Sequence, residues 1–247
     1  MEIVDLNGLS IVFNDPHDIA AILEVVVMDV YNIRKLRRGD TVLDLGAGIG
    51  EFSILASRRI GNSGLVISVE PGPLDFDVLE KNISNNECKN IVSFNNAFSP
   101  SEREISLEFK GHFFTAKTIS SSEIKRCLLE NGRNRIDVIK MDIEGGEVSA
   151  IRDLKDYLHL VRAIMIELHG TKKEVDEMLE PLGFRFRRLK RYQYIISTLF
   201  FSLRHPIYSM NLWKILNSME KGRYVKKIFK GLEITNSKEL MVGVYER

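Results

Sequence analysis

The run from Thr41 to Ser53, Thr-Val-Leu-Asp-Leu-Gly-Ala-Gly-Ile-Gly-Glu-Phe-Ser, constrains this chain more than any other stretch. Val42, Leu43 and Leu45 form an apolar run suited to a strand covered on both faces. Gly46, Gly48 and Gly50 follow at alternate positions and remove side chains where backbone must approach a ligand closely. Asp44 falls at the carboxyl end of the strand, and a helix begins directly after the last glycine. A buried strand, a glycine turn and a helix start in immediate succession make a seat for a nucleotide-like ligand.

The rest of the chain repeats that rhythm. From Asp40 the pattern predicts a strand at 40–45, a helix from about 50, a strand at 65–70, a helix at about 74–86 and a strand at 91–95. Further on come a strand at 136–142, a helix to about Leu158, a strand at 161–168 ending at His169-Gly170, and a helix from Thr171. Thr171-Lys-Lys-Glu174 has capping-box spacing, and that helix stops before Pro181. Residues 184–189 and 239–245 read as strands six and seven. Strands alternating with helices of this length mean α/β architecture, with a parallel sheet and right-handed crossovers.

Two stretches depart from the rhythm. Residues 99–119 contain Glu104-Ile-Ser-Leu-Glu-Phe109, alternating at period two, and read as an extra hairpin or loop before a helix capped at Ser121. Ahead of the repeat, apolar runs flank Asn7-Gly8, a pair that tolerates positive φ, so an N-terminal hairpin is expected. Asp15 and Pro16 supply an N-cap and a first helical residue for a helix running to about Tyr31. His17 reads as a solvent-facing first-turn residue. The expected division is 1–39 for hairpin and helix, 40–189 for the ligand-binding core, 190–234 for an insertion between strands six and seven, and 235–247 for the final strand.

At 247 residues and 28% charged, with a formal net charge of +1, the chain has no overall electrostatic bias toward nucleic acid or membrane. The charge is local instead. Residues 185–230 hold twelve lysines and arginines against the single acid Glu220. Aliphatic and aromatic side chains such as Ile195, Leu199, Trp213 and Leu216 interleave with them. Four readings stand side by side: a small helical cap with solvated cations, docking on an anionic membrane surface, RNA contact, or a dimer contact. Cys88 and Cys127 are too few for a disulfide scaffold or a cysteine-based zinc site. The start Met1-Glu-Ile-Val-Asp5 lacks the pattern of a signal peptide, and the stretch around 194–203 is too short to span a bilayer. A cytoplasmic location is expected.

The glycine spacing separates two ligand classes. A dinucleotide fingerprint places glycines at relative positions 1, 3 and 6, but here position 6 is Glu51 and the glycines fall at 1, 3 and 5. With Glu70 at the end of strand two, able to accept bonds from two vicinal ribose hydroxyls, the arrangement resembles the motif with which class I methyltransferases bind S-adenosylmethionine. The string Lys140-Met-Asp-Ile-Glu-Gly-Gly-Glu147, with Ile164-Met-Ile-Glu-Leu-His169 downstream, closely resembles the FkbM family of methyltransferases over roughly residues 20–189.

That resemblance implies a Rossmann-like, seven-stranded class I methyltransferase sheet, mostly parallel, with strand seven inserted antiparallel. It implies S-adenosylmethionine as cofactor, contacted by Asp44, Gly46, Gly48 and Gly50, with Glu70 on the ribose, Asn96 and Ala97 flanking the adenine, and Asp142 near the methionine end. Asp142, Glu144, Glu147, Glu167 and His169 end or follow strands four and five, so they converge at the carboxyl edge of the sheet. Among them, Asp142 or His169 is the candidate general base and Glu144 or Glu167 the group orienting an acceptor hydroxyl. Glu147 reads equally as a first-turn acid stabilised by the helix dipole. Asp142, Glu144 and His169 are of types that suit a divalent metal, but no spacing demands one, and none is expected. The expected function is O-methylation of a hydroxyl on a small molecule or saccharide. An RNA methyltransferase using 185–230 and a non-catalytic adenosine-ligand-binding module are the alternatives.

Overall fold

The computed structural model describes residues 2–6, 8–100, 103–109, 111–188, 191–204 and 240–247. Strands β1 (Glu2–Leu6) and β2 (Leu9–Phe13) pair antiparallel, with Gly8 in the turn at φ 76°, while Asn7 lies outside the described residues. Helix α1 (Pro16–Ile22) is capped as its sequence predicts: the Asp15 carboxylate accepts from the His17 N–H, and Asp18 closes a capping box. The helix continues as a single π turn over Leu23–Val27 and ends there, short of Tyr31. The reason is local, since Asp29 and Asn32 take left-handed φ of 54° and 55°, which a helix cannot include.

The regular section then follows: β3 (Thr41–Leu45), α2 (Glu51–Ile60), β4 (Leu65–Val69), α3 (Pro73–Asn85) and β5 (Ile91–Phe94). Residues 97–119 form a small separate sheet of β6 (Ala97–Phe98), β7 (Glu104–Phe109) and β8 (His112–Ile119), in which β7 and β8 are the expected hairpin. Helix α4 (Ser121–Glu130) is capped by Ser120, one residue before the expected Ser121, because Ser120 and Glu123 are the pair at capping-box spacing. Next come β9 (Val138–Met141), α5 (Glu147–Asp153), α6 (Lys155–Leu158), β10 (Ala163–His169), α7 (Lys172–Leu179), β11 (Arg185–Arg188), α8 (Arg191–Arg204) and β12 (Leu240–Glu246). The capping box expected at Thr171 does not form: its hydroxyl donates to the Glu147 carboxylate at 2.8 Å.

Within the 190–234 segment only α8 is described. Its Phe201 packs, partly buried, against the core. The membrane, RNA and dimer readings of 185–230 fall largely outside the described residues. Among the described residues no helix is long and apolar enough to cross a membrane.

The seven central strands run in the order β11-β12-β10-β9-β3-β4-β5, with β12 antiparallel to both neighbours and β10, β9, β3, β4 and β5 mutually parallel. This is the class I methyltransferase sheet. Alternate residues of each strand feed two cores. Val42, Val66, Val138 and Met165 face the side packed by α2 and the N-terminal elements, and Leu43, Ile67, Ile139 and Ile166 face the side packed by α4, α5 and α7. Burial on both faces explains why these strands read as unbroken apolar runs. The hairpin of β1 and β2 is tied to α3 by Asn82, whose side chain exchanges hydrogen bonds with the backbone of Val12. Strand order reverses at β3, between β4 and β9, so the crevice for a ligand opens above the carboxyl end of β3.

Candidate active site

A cavity of about 420 Å³ opens at that edge, inside the range of small-molecule sites. The glycine turn forms its floor. Helix α1 lines one side through His17, Asp18 and Ala21, and the hairpin of β7 and β8 lines another through Ile105, Leu107 and Phe114. His17 is exposed and stands at this margin.

The three glycines do different things. Gly46 has φ 75°, and a Cβ there would lie 1.8 Å from the carbonyl oxygen of Asp142. Gly50 has φ 89°, and its Cβ would lie 2.4 Å from a Leu79 methyl. Both are crowded by the protein itself, β9's end in one case and α3 in the other. Gly48 faces the cavity, with the Glu51 carboxylate as its nearest neighbour.

Beneath the turn lies a charge pair with no access to the cavity from Asp44. The Asp44 side chain is fully buried. Its Oδ1 sits 3.3 Å from Lys140 Nζ, and its Oδ2 accepts from Ser53 Oγ at 2.5 Å. Lys140 also donates to the Gly46 carbonyl and reaches the cavity wall. Burial would discharge the ammonium, but Asp44, Asp142 and Glu51 around it hold its pKa above the ordinary lysine value. The glycine turn is therefore pinned from below by a lysine on β9.

At the end of β4, Glu70 is 5% exposed and lines the cavity. Its carboxylate accepts from the Gly72 N–H at 2.7 Å and the Gly48 N–H at 2.8 Å. Burial pushes its pKa up to about 8 against those two bonds. Each oxygen keeps a lone pair for a hydroxyl, which is the chemistry a ribose needs. Ala97 and Phe98 add apolar surface beside it, while Asn96 belongs to a separate surface depression with Arg103 and Glu123.

The opposite end is acidic. Asp142 and Glu144 line the cavity, and Asp142 Oδ2 accepts from the Tyr31 hydroxyl at 3.1 Å. Behind them His169 is held at both nitrogens: Nδ1 is 2.9 Å from Glu147 Oε1, and Nε2 is 3.4 Å from Glu144 and 3.8 Å from Glu167. Burial works against its charge, but the carboxylates of Glu147, Glu144, Asp142 and Glu167 outweigh it and raise the pKa, and with a carboxylate facing each ring nitrogen the charged form is favoured. Glu147 is fully buried. Burial would raise its pKa, yet bonds from His169, the Gly145 N–H and Thr171 hold it below the usual carboxylate value. It is a clamp on His169 and on α7, which goes beyond a first-turn acid. Glu167 is raised by burial, then by Asp142 and Glu24, and Glu24 is raised to about 7 by burial and Asp142.

Asp142, Glu144 and His169 each offer a ligand atom within 4.8 Å of the others, so these three could hold a metal ion. Bound there, a metal would take the Nε2 position of His169 in place of a proton.

Of the residues expected from sequence, Gly46, Gly48, Glu70, Ala97, Asp142 and Glu144 line one cavity, with His169 and Glu167 directly behind. Asp44 and Gly50 lie beneath it and Asn96 outside it. Sequence reasoning missed Glu24, Tyr31 and Glu51. Glu51 adjoins the last glycine and was legible. Glu24 and Tyr31 carry no local signal and enter through the π turn and the loop after it.

The Methyltransferase FkbM domain matches residues 44–195 of this chain. Similar proteins include methyltransferase sdnD of Sordaria araneosa, 23% identical over 67% of this chain and 81% of that protein. Another is the hexuronic acid methyltransferase AglP of Haloferax volcanii, 26% identical over 60% of this chain and 64% of that protein. Among solved structures, the precorrin-6y C5,15-methyltransferase of Geobacter metallireducens overlays with a TM-score of 0.46 at 16% identity, covering 66% of this chain and 73% of that one.

Proposed function

The chain belongs to the FkbM methyltransferase family, and on that premise we propose that it O-methylates a hydroxyl of a small molecule or saccharide, with S-adenosylmethionine as donor. The observation that carries this reading is the acidic array of Asp142, Glu144 and His169 at the end of the cavity away from Glu70. The cofactor supplies an electrophilic methyl on a sulfonium, so the chain itself has three tasks: to hold it, to orient an acceptor oxygen and to take a proton.

The residues fit that division. Glu70 receives the ribose hydroxyls, and Ala97 and Phe98 cover the base. Asp142 is the proton acceptor for the attacking hydroxyl, because it is a carboxylate at the cavity surface, oriented by Tyr31. His169 cannot serve as base while it carries its own proton. Its charge instead fixes Glu144 and Glu167, and Glu144, the more exposed of the two, positions the acceptor. A hydroxyl-bearing saccharide is the acceptor class favoured here, supported by the resemblance to the hexuronic acid methyltransferase.

Incubation with deuteromethyl-labelled S-adenosylmethionine and a panel of uronic-acid-bearing oligosaccharides, polyols and RNA tests the reading by mass spectrometry. A labelled methyl stable to mild base on a saccharide or polyol is expected. Label on a base-labile carboxyl ester, or on RNA alone, would contradict it.

A further inference from the structure

Glu51 takes no part in the chemistry above, yet it is the least satisfied acid around the cavity. It is the first residue of α2, directly after the left-handed Gly50. Its side chain is turned inward and only 6% exposed, and it lines the cavity. Its Oε2 has no hydrogen-bond partner among the described residues. A helix N-terminus favours an acid in its first turn, but that preference is met just as well by a carboxylate facing water. Buried polar atoms almost always have partners, so an orphaned carboxylate oxygen beside a ligand cavity calls for an absent donor.

Lys140 does not supply it here: that ammonium bonds the Gly46 carbonyl and pairs with Asp44, and no hydrogen bond joins it to Oε2. The space on the cavity side of Glu51 is open at Gly48, where a built Cβ would come no nearer than 3.7 Å to Oε2. Glu70, bonded to the Gly48 N–H, has two backbone N–H groups already on its carboxylate. The two acids therefore differ: Glu70 suits neutral hydroxyls, and Glu51 suits a cation that brings its own N–H groups.

We propose that Glu51 receives the α-ammonium group of the methionine portion of the cofactor and makes the protein select amino-acid-bearing cofactors over deaminated ones. This rests on S-adenosylmethionine being the ligand of the cavity. At the methionine end the sulfonium carries charge but no N–H, so the ammonium is the only cationic donor the cofactor presents there. The ion pair forms away from bulk water, where a charge-assisted bond is strongest.

Calorimetric titration of the wild-type chain and E51Q, each with S-adenosylhomocysteine and with its analogue bearing hydrogen in place of the α-amino group, tests this. The wild type is expected to prefer the amino-bearing ligand about tenfold or more, the effect of one buried charge-assisted bond. In E51Q that ratio falls to near one, while the deaminated analogue binds within about threefold of wild type, which also shows that the variant is folded. An undiminished preference in E51Q overturns the proposal, as does equal wild-type affinity for the two ligands or an E51Q protein that has lost both. If the wild type binds neither ligand, the cofactor reading itself fails, an outcome distinct from all of these.

Discussion

The floor and the acidic end of this cavity are built by opposite means. The floor is nearly all local: strand, three glycines and helix within residues 41–60. Its long-range ties are few: Lys140 reaches under the turn from β9 to Asp44 and Gly46, Glu70 accepts from the Gly48 N–H, and Asn82 of α3 donates to the Ile49 carbonyl. The acidic end is assembled from distant segments. Glu24 and Tyr31 come from the N-terminal region, Asp142 and Glu144 from the loop after β9, Glu147 from the first turn of α5, Glu167 and His169 from β10, and Thr171 from the loop after it. The floor is held by backbone geometry that only glycine fits, and the acidic end by a balance of charges that any one residue can upset.

Four changes sharpen or break that contrast. The largest effect is expected at the acidic end. Asp142→Asn keeps the Tyr31 contact but removes the proton acceptor, so kcat should fall about 10²- to 10⁴-fold in single-turnover experiments. A loss under tenfold would move the base elsewhere. Next is the floor's long-range tie. Lys140→Met strands the Asp44 carboxylate without its counter-charge, and urea denaturation should show a loss of about 3–5 kcal/mol. If D44N in the same chain restores none of that stability, the pair is not the cause.

A smaller effect concerns pH. Burial raises the pKa values of Glu70 and Glu51 to about 8 and about 7 from 4.5, so without a ligand to pair with them the neutral acids persist well above their ordinary range. Groups raised in the folded state stabilise it below about pH 4.5, and that contribution is lost as pH rises to about 8. A ligand bearing hydroxyls and an ammonium favours the ionised acids. Affinity for S-adenosylhomocysteine should therefore climb between about pH 6 and 8.5, with proton release, by roughly tenfold. Glu70→Gln should flatten most of the climb, and an unchanged slope in that variant would count against Glu70. The smallest effect is Thr171→Val, which removes one hydroxyl from buried Glu147 and should cost about 1 kcal/mol in the same denaturation assay. A neutral result would mean that His169 and Gly145 suffice to hold Glu147.

The contrast also explains what the chain disclosed before its fold was known. Strand and helix periodicity and the 46-48-50 glycine spacing were enough to infer a parallel sheet and the edge where a ligand binds, while the antiparallel last strand was implied only by the family resemblance that the string from Lys140 to Glu147 carries. Periodicity and spacing are local, and local patterns report backbone demands. Whether His169 is a base or an imidazolium was not legible, because the answer depends on Glu144, Glu147 and Glu167 standing on both sides of the ring. The reason for the glycines was also hidden: Gly46 meets Asp142 and Gly50 meets Leu79, contacts made only after β9 and α3 are in place. Thr171 misled for the same reason, since a buried acceptor from another element took the hydroxyl that capping would have used.

The central claim, that the cavity above β3 holds S-adenosylmethionine with Glu70 on its ribose, is tested most directly by calorimetric titration of S-adenosylhomocysteine at pH 8 into wild type and E70Q. One saturable site in the wild type, weakened about tenfold or more in E70Q, is the expected result. No heat with ligand at millimolar concentration, or equal affinity in the two proteins, would contradict it.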